Sequence, residues 1–194
     1  MASSKLANWA GIAVVACLGG IGGYSAWVLT SAPPPAEPEI VRLMPTAPPP
    51  PSTDLIGHPA PAFELPDLDG ETKRLSDWRG QTVLINFWAT SCEPCREEMP
   101  MLEAVYQRYR DRGFEVLGIA IDDAGAIGEF IGEIGVTFPI LVASSSNLQL
   151  GQRYGNTLGA LPYSALVDAE GNIRYLKLGI LKEADVIEAV EAAL

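Results

Sequence analysis

Groups that bind metals or form bridges are scarce in this chain of 194 residues, which has one histidine, His58, and three cysteines, Cys17, Cys92 and Cys95. A structural zinc site generally takes four Cys or His ligands. Beyond residue 53 the chain offers two cysteines and a His58 far upstream beside a proline, too few for a zinc clip within one chain. A structural staple is equally poorly served. A disulfide stabilises by closing a loop, more so as the loop lengthens, and Cys92 and Cys95 enclose two residues. Basic residues are few as well, 13 Lys and Arg against 24 Asp and Glu. Nucleic-acid binding depends on neutralising phosphates with Lys and Arg, so a nucleic-acid partner is disfavoured. The sequence has no internal repeat.

Charge is missing altogether between Lys5 and Glu37, and residues 7–29, "ANWAGIAVVACLGGIGGYSAWVL", are apolar enough and long enough to cross a bilayer as a helix. Trp9 at one end and Tyr24 with Trp27 at the other suit the two membrane interfaces, and Lys5 favours a cytoplasmic start. A cleaved signal peptide would have a shorter apolar core, about 7–15 residues, ending at a small-residue site. "VVAC", ending at Cys17, resembles a bacterial lipoprotein box, but the apolar run continues well past it. Residues 1–30 are therefore expected to be an uncleaved membrane anchor. Nine of the sixteen prolines fall between Pro33 and Pro51. Proline fixes φ and removes donors, so residues 31–53 read as an extended stalk of about 3.1 Å per residue. Only Lys5, Glu37, Glu39 and Arg42 carry charge before residue 54. The remaining 22 acidic and 11 basic residues give residues 54–194 the whole net charge of −11. That length suits one compact domain.

Within it, "AFELPDLDGETKRL" alternates and turns at Asp69-Gly70 as a leading hairpin would. "TVLINF" (82–87) is a continuous apolar run, the mark of a strand buried on both faces. Met99, Leu102, Tyr106 and Tyr109 follow helical spacing, with Pro100 expected to kink that helix. "FEVLGIAID" (114–122) is the next strand. Ile127, Phe130, Ile131 and Ile134 then mark an amphipathic helix, and "FPILVA" (138–143) a short strand. After a short helix, "YSALVDAEGNIRYLKLG" reads as two strands about Glu170-Gly171-Asn172. A last helix places Val186, Ile187, Val190 and Leu194 on one face. This order predicts a mixed α/β sandwich with parallel strands early and antiparallel edge strands late. The cysteines fall at a strand-to-helix junction beyond the carboxyl end of a central strand, a common place for sites in open α/β sheets.

A Cys-x-x-Cys pair where a helix begins suits reversible thiol chemistry. Cys92 would lie beyond the helix start, where free N–H groups and the helix dipole favour a thiolate. Cys95, one turn inside, would be covered and would act second, resolving a mixed disulfide.

The segment "VLINFWATSCEPCREEMP" resembles the active-site segment of the TlpA/ResA-like thioredoxin family of membrane-anchored thiol–disulfide oxidoreductases. The likeness runs over residues 57–194, through "GHPAPAFELPDLDG", "IGVTFPILV" and "LGALPYSALVDAEGNI". It implies a thioredoxin-like mixed-sheet sandwich with an N-terminal β-hairpin extension and a central insertion, preceded by one transmembrane helix. It also implies that Cys92 is the exposed nucleophile, Cys95 the resolving thiol, Pro162 a cis-proline facing them, and Trp88 the tryptophan of the "FWAT" segment. Glu93 and Pro94 lie between the cysteines. Ser91 and Tyr163 depart from the tryptophan and threonine the family commonly has there; both are expected to flank the nucleophile in the groove and bear on substrate choice. Asn86 stands where thioredoxins proper carry a buried aspartate that manages the proton of the second cysteine. Glu98 is the candidate substitute, the alternative being a solvated helix carboxylate.

The redox group implied is the Cys92–Cys95 disulfide itself, with no other cofactor and no metal. The implied partners are substrate proteins bearing disulfides or thiols, and a transmembrane dithiol donor of the CcdA/DsbD type. The implied setting is a bacterial cytoplasmic membrane, with the domain in the periplasm and cytochrome c maturation or copper-site thiol maintenance as the task.

Two other functions use the same residues. A peroxiredoxin places its reactive cysteine in a T-xx-C pattern, whereas Thr90 precedes Cys92 by two. A copper metallochaperone could hold Cu(I) through the two thiolates, which are soft ligands. Within thiol–disulfide chemistry, the flanking charges favour a reductant: Glu93, Glu97 and Glu98 oppose a thiolate at Cys92, with Arg96 alone against them.

Overall fold

The computed structural model describes residues 53–144 and 148–194. The expected anchor (1–30), and the linker (31–53) apart from its last residue, lie outside the described residues. Among the described residues no helix is long and apolar enough to cross a membrane.

A hairpin of β1 (Glu64–Pro66) and β2 (Thr72–Arg74) leads the domain. Its turn is held by Asp67, whose Oδ1 accepts the backbone N–H groups of Asp69 (3.0 Å) and Glu71 (2.9 Å). There follow β3 (Thr82–Trp88), α1 (Glu93–Tyr109), β4 (Phe114–Ala120), α2 (Ala124–Ile134), β5 (Ile140–Val142), α3 (Leu148–Arg153), β6 (Tyr163–Val167), β7 (Ile173–Leu178) and α4 (Glu183–Ala193). The main sheet has the order β5-β4-β3-β6-β7. β3, β4 and β5 run parallel, and β6 and β7 are antiparallel to their neighbours.

Every residue of β3 is buried, as its unbroken apolar run predicts. The period of two sorts its side chains onto two cores. Leu84 and Trp88 join Met99 and Leu102 of α1, Ile127 and Phe130 of α2, and Val186 and Val190 of α4. Val83, Ile85 and Phe87 join Phe63, Leu65, Leu150 and Tyr154 on the other face. The connections β3-α1-β4 and β4-α2-β5 step the same way along the sheet, so two right-handed crossovers put both helices on one side.

Helix boundaries follow local chemistry. Asp123 caps α2, its Oδ1 accepting from Gly125 N (2.9 Å) and Ala126 N (3.4 Å). Gly135, at φ 74°, ends that helix in the left-handed region open to glycine. The sheet margins are partly covered. Residues 57–60 are stitched to the start of β7: Gly57 N–H donates to Ile173 C=O (2.7 Å), Ile173 N–H to His58 C=O (2.9 Å) and Ala60 N–H to Gly171 C=O (2.8 Å). Asp67 bridges β5 at Leu141.

Several expectations need correction. The late hairpin does not supply two edge strands: β6 sits inside the sheet between β3 and β7, and only β7 reaches the margin. The proline at which a kink is expected does not end α1, which continues through Pro100 on its exposed side. Val105, not Tyr106, holds the fully buried position in its fourth turn. Leu194 lies past the end of α4 and is 46% exposed, so it does not extend the buried face.

Candidate active site

The site stands on the carboxyl end of β3. After Trp88 the chain makes a tight turn, with Cys92 N–H donating to Ala89 C=O (3.1 Å), and then enters α1. Cys92 is the N-cap residue, with extended backbone (φ −89°, ψ 100°). Its carbonyl accepts the N–H groups of Cys95 and Arg96, both at 3.1 Å. Pro94 occupies the first turn, where the N–H it lacks would have no partner inside the helix.

Cys92 and Cys95 are joined as a disulfide. Cys92 is half-buried, whereas Cys95 is fully enclosed in the core beside α1. The two sulfurs therefore differ in access, the asymmetry required of an attacking and a resolving thiol. Ser91 and Glu93 are exposed beside Cys92, and Glu97 is exposed one turn on. Arg96, the only cation among these neighbours in sequence, lies over the Phe130 ring, 4.7 Å from its centroid.

Pairing in the sheet brings the second wall into place. Phe87 of β3 is opposite Tyr163 of β6, so Pro162 lies alongside Trp88 and the turn that follows it. The Leu161–Pro162 peptide is cis, the isomer implied by the resemblance. The preceding loop is pinned by Asn156, whose Nδ2 donates to Ala160 C=O (2.9 Å) and whose Oδ1 accepts Ala160 N–H (3.2 Å).

Trp88 and Tyr163 do not present their side chains to the groove. Trp88 is fully buried, with its ring 5.5 Å from that of Phe130. Its Nε1 faces Gly118 on β4, where a Cβ would lie 3.0 Å from that nitrogen and 2.6 Å from Ile140 Cδ1. Glycine is what lets the indole lie flush against the sheet. Tyr163 is also fully buried, on the opposite face, and its hydroxyl donates to the Tyr154 carbonyl (2.8 Å). Burial pushes its phenol up to about 12, so it stays protonated. Successive strand side chains point to opposite faces. With Ser164 on the α1 side, Tyr163 must point away, and it flanks the groove by its backbone alone.

Beneath the disulfide lies a buried polar cluster. Glu98 is 2% exposed, which rules out a solvated helix carboxylate. Its Oε1 accepts from Asn86 Nδ2 (2.7 Å) and its Oε2 from the backbone N–H of Leu181 (2.8 Å). Asn86 Nδ2 also donates to Ser164 Oγ (3.0 Å). Burial raises the pKa of Glu98, and the hydrogen bonds from Leu181 and Asn86 offset this only in part. Among the described residues, Asn86 Oδ1 and Trp88 Nε1 are buried with no hydrogen-bond partner. An amide with a spare oxygen beside a carboxyl group can rotate to accept a hydrogen bond from its protonated form, so Asn86 can serve either charge state of Glu98.

Two members of the site escape sequence reasoning. Ser164 completes the Asn86 cluster, and Asp122, just past β4, bonds Thr90 in the turn before Cys92. The signal for Asp122 was its place: a carboxylate at the carboxyl end of the strand next to β3. Among the described residues, no three His, Cys, Asp or Glu side chains converge as a metal site.

Comparison with known proteins agrees with this geometry. Residues 55–194 match the Redoxin family. The chain is similar to the thiol-disulfide oxidoreductase ResA of Geobacillus thermodenitrificans, 34% identical over 138 residues, covering 71% of this chain and 77% of that one. It is similarly related to ResA of Bacillus anthracis, 35% identical over 119 residues, covering 61% and 66%. Among solved structures, a thiol:disulfide interchange protein of the thioredoxin family from Chlorobium tepidum superposes with a TM-score of 0.63 at 29% identity, covering 70% of this chain and 94% of that one. An accessible sulfur at a helix start, bonded to a buried one, thus stands here in a sequence similar to those of thiol-disulfide oxidoreductases. The chain belongs to the Redoxin family, as a TlpA/ResA-like thiol–disulfide oxidoreductase.

Proposed function

We propose that the protein is a reductase of protein disulfides, anchored in a bacterial cytoplasmic membrane by residues 1–30 with its domain in the periplasm. The observation that carries the direction is electrostatic. The half-buried Cys92 has exposed carboxylates at Glu93 and Glu97 beside it, and the nearby cation, Arg96, is engaged with Phe130. Negative neighbours disfavour a thiolate. A strongly oxidising pair owes its power to a stabilised reduced form, which these charges weaken.

In the forward step the Cys92 thiolate attacks one sulfur of a substrate disulfide, forming a mixed disulfide and releasing one substrate thiolate. The Cys95 thiolate then attacks Cys92 Sγ, releasing the second substrate thiolate and forming the Cys92–Cys95 disulfide. Two electrons pass to the substrate. Glu98, one turn beyond Cys95 and raised in pKa by burial, is the group we assign to taking the Cys95 proton. Renewed turnover requires a dithiol donor from across the membrane, of the CcdA/DsbD type. Cytochrome c maturation or the upkeep of copper-site thiols are the tasks that suit such a reductase.

Equilibrating the full chain, extracted in detergent, with glutathione redox buffers tests the direction. The expected potential is near or below about −270 mV, and a value near about −120 mV would make the protein an oxidant instead. The anchor has its own test in the intact mass of membrane-extracted protein. An N-terminus at the initiator end is expected, and a mature form beginning near Cys17 or after Trp27 would overturn the uncleaved anchor.

A further inference from the structure

We propose that Asp122 is a positioning residue for the attacking thiol: its carboxylate grips Thr90 and so fixes the turn that delivers Cys92 to the start of α1, while its charge weights the cysteine pair toward the disulfide. This rests on the reading above in which Cys92 attacks first.

The geometry is a clamp between neighbouring strands. β3 and β4 end side by side, with Trp88 paired to Ala120. Just beyond, Ile121 N–H donates to Trp88 C=O (2.9 Å), so the two chains stay together as they leave the sheet. Asp122 Oδ2 then accepts both the backbone N–H of Thr90 (3.2 Å) and its hydroxyl. The second carboxylate oxygen, Oδ1, accepts Asp123 N–H (3.0 Å), which fixes the plane of the group. Thr90 lies inside the turn closed by the Cys92 N–H to Ala89 C=O bond. One half-buried side chain therefore ties down the segment between the end of β3 and the N-cap cysteine, using a residue 32 positions away.

The charge of the group follows from the same contacts. The Thr90 hydroxyl, acting against partial burial and joined by the Asp123 and Thr90 amides, holds the carboxyl below the ordinary aspartate range. Asp122 is thus ionised at neutral pH, a negative charge bonded to the turn two residues before Cys92. The other charged groups in the first turns of the helices meeting here are Glu93, Arg96, Glu97 and the buried Glu98 of α1, with Asp123 at the start of α2 and Lys182 before α4. Glu103 and Arg108 of α1, Glu129 and Glu133 of α2, and Glu115 of β4 lie further along their elements. Asp122 differs from them in being bonded into the turn itself.

Asp122→Asn removes the charge and keeps the grip on Thr90, because the amide oxygen can still accept both of its bonds; the bond from Asp123 N–H alone is lost. In the full chain, the variant should shift the equilibrium with glutathione about three- to tenfold toward the dithiol, as loss of one nearby charge allows. That corresponds to a potential up to about 30 mV less negative. Alkylation of reduced Cys92 by iodoacetamide at pH 7 should quicken several-fold. Thr90→Val keeps the carboxylate and removes half the grip. It should leave the potential within twofold in equilibrium constant, while slowing exchange with oxidised glutathione several-fold.

A clamp that is only structural would lower the urea midpoint of Asp122→Asn and leave its potential unmoved, and that outcome overturns the proposal. Should Asp122→Asn fail to fold, an unchanged exchange rate in Thr90→Val overturns it equally. If Cys95 is alkylated before Cys92 in the unaltered protein, the assignment of the attacking thiol fails instead, and the two failures are told apart.

Discussion

A Cys95→Ala variant should accumulate covalent complexes with its substrates while turnover falls to background. Cys92 keeps its half-buried place at the helix start, so it still attacks and still forms the mixed disulfide. The thiolate that would release it is gone, and exchange stops at that intermediate. Cys95 is fully buried among apolar side chains, so the smaller alanine disturbs packing little compared with the loss of chemistry. Non-reducing gels followed by mass spectrometry would read the trapped partners. The reciprocal Cys92→Ala variant should trap none. Equal trapping by both variants would mean that the two sulfurs are equally accessible, against the burial difference.

The second large effect concerns Asn86. Replacing it by aspartate should destabilise the protein by on the order of 3 kcal/mol at pH 8, the scale of an uncompensated buried charge. The present bond from Asn86 Nδ2 to Glu98 Oε1, 2.7 Å long, would become a contact between two carboxylate oxygens, both buried. Two carboxylates so placed cannot both ionise, and one pKa rises strongly. The folded state would then hold a proton that the unfolded chain has lost. Stability should therefore fall as pH rises from the ordinary carboxylate range through the raised folded pKa. Urea unfolding at pH 5 and pH 8 would check this: the deficit against the unaltered protein should narrow at pH 5. A deficit independent of pH would show that packing, not shared charge, is at stake. The same sign applies, more weakly, to Glu98 alone, whose burial already raises its pKa.

The parts of the fold visible in the sequence are those encoded locally. The all-buried strand at 82–88, the dithiol at its end and the final helix each announce themselves by composition and period within a few residues. The cluster around Glu98 does not. Its partners Asn86, Ser164 and Leu181 are separated by 12, 78 and 83 positions along the chain from the residues they bond. Ser164 reaches Asn86 only because β6 inserts beside β3, which no local pattern fixes. Tyr163 shows the same limit from the other side. A resemblance placed it next to the groove, and one residue of strand register decides that its ring faces the opposite core.

The stitching of residues 57–60 to the start of β7 has a consequence for how the domain is held. Ile173 pairs with Val167, at the far end of β6 from Tyr163 and the cis-proline. The five residues of β6, at about 3.3 Å each, put that end about 16 Å from Pro162. The chain therefore enters the domain at its back and exposes the dithiol at its front. That point of entry, at Gly57 to Ala60, is a handle behind the reactive end. A pull on that handle would load the backbone bonds at Gly57, His58 and Ala60 and leave the turn at Cys92 unloaded.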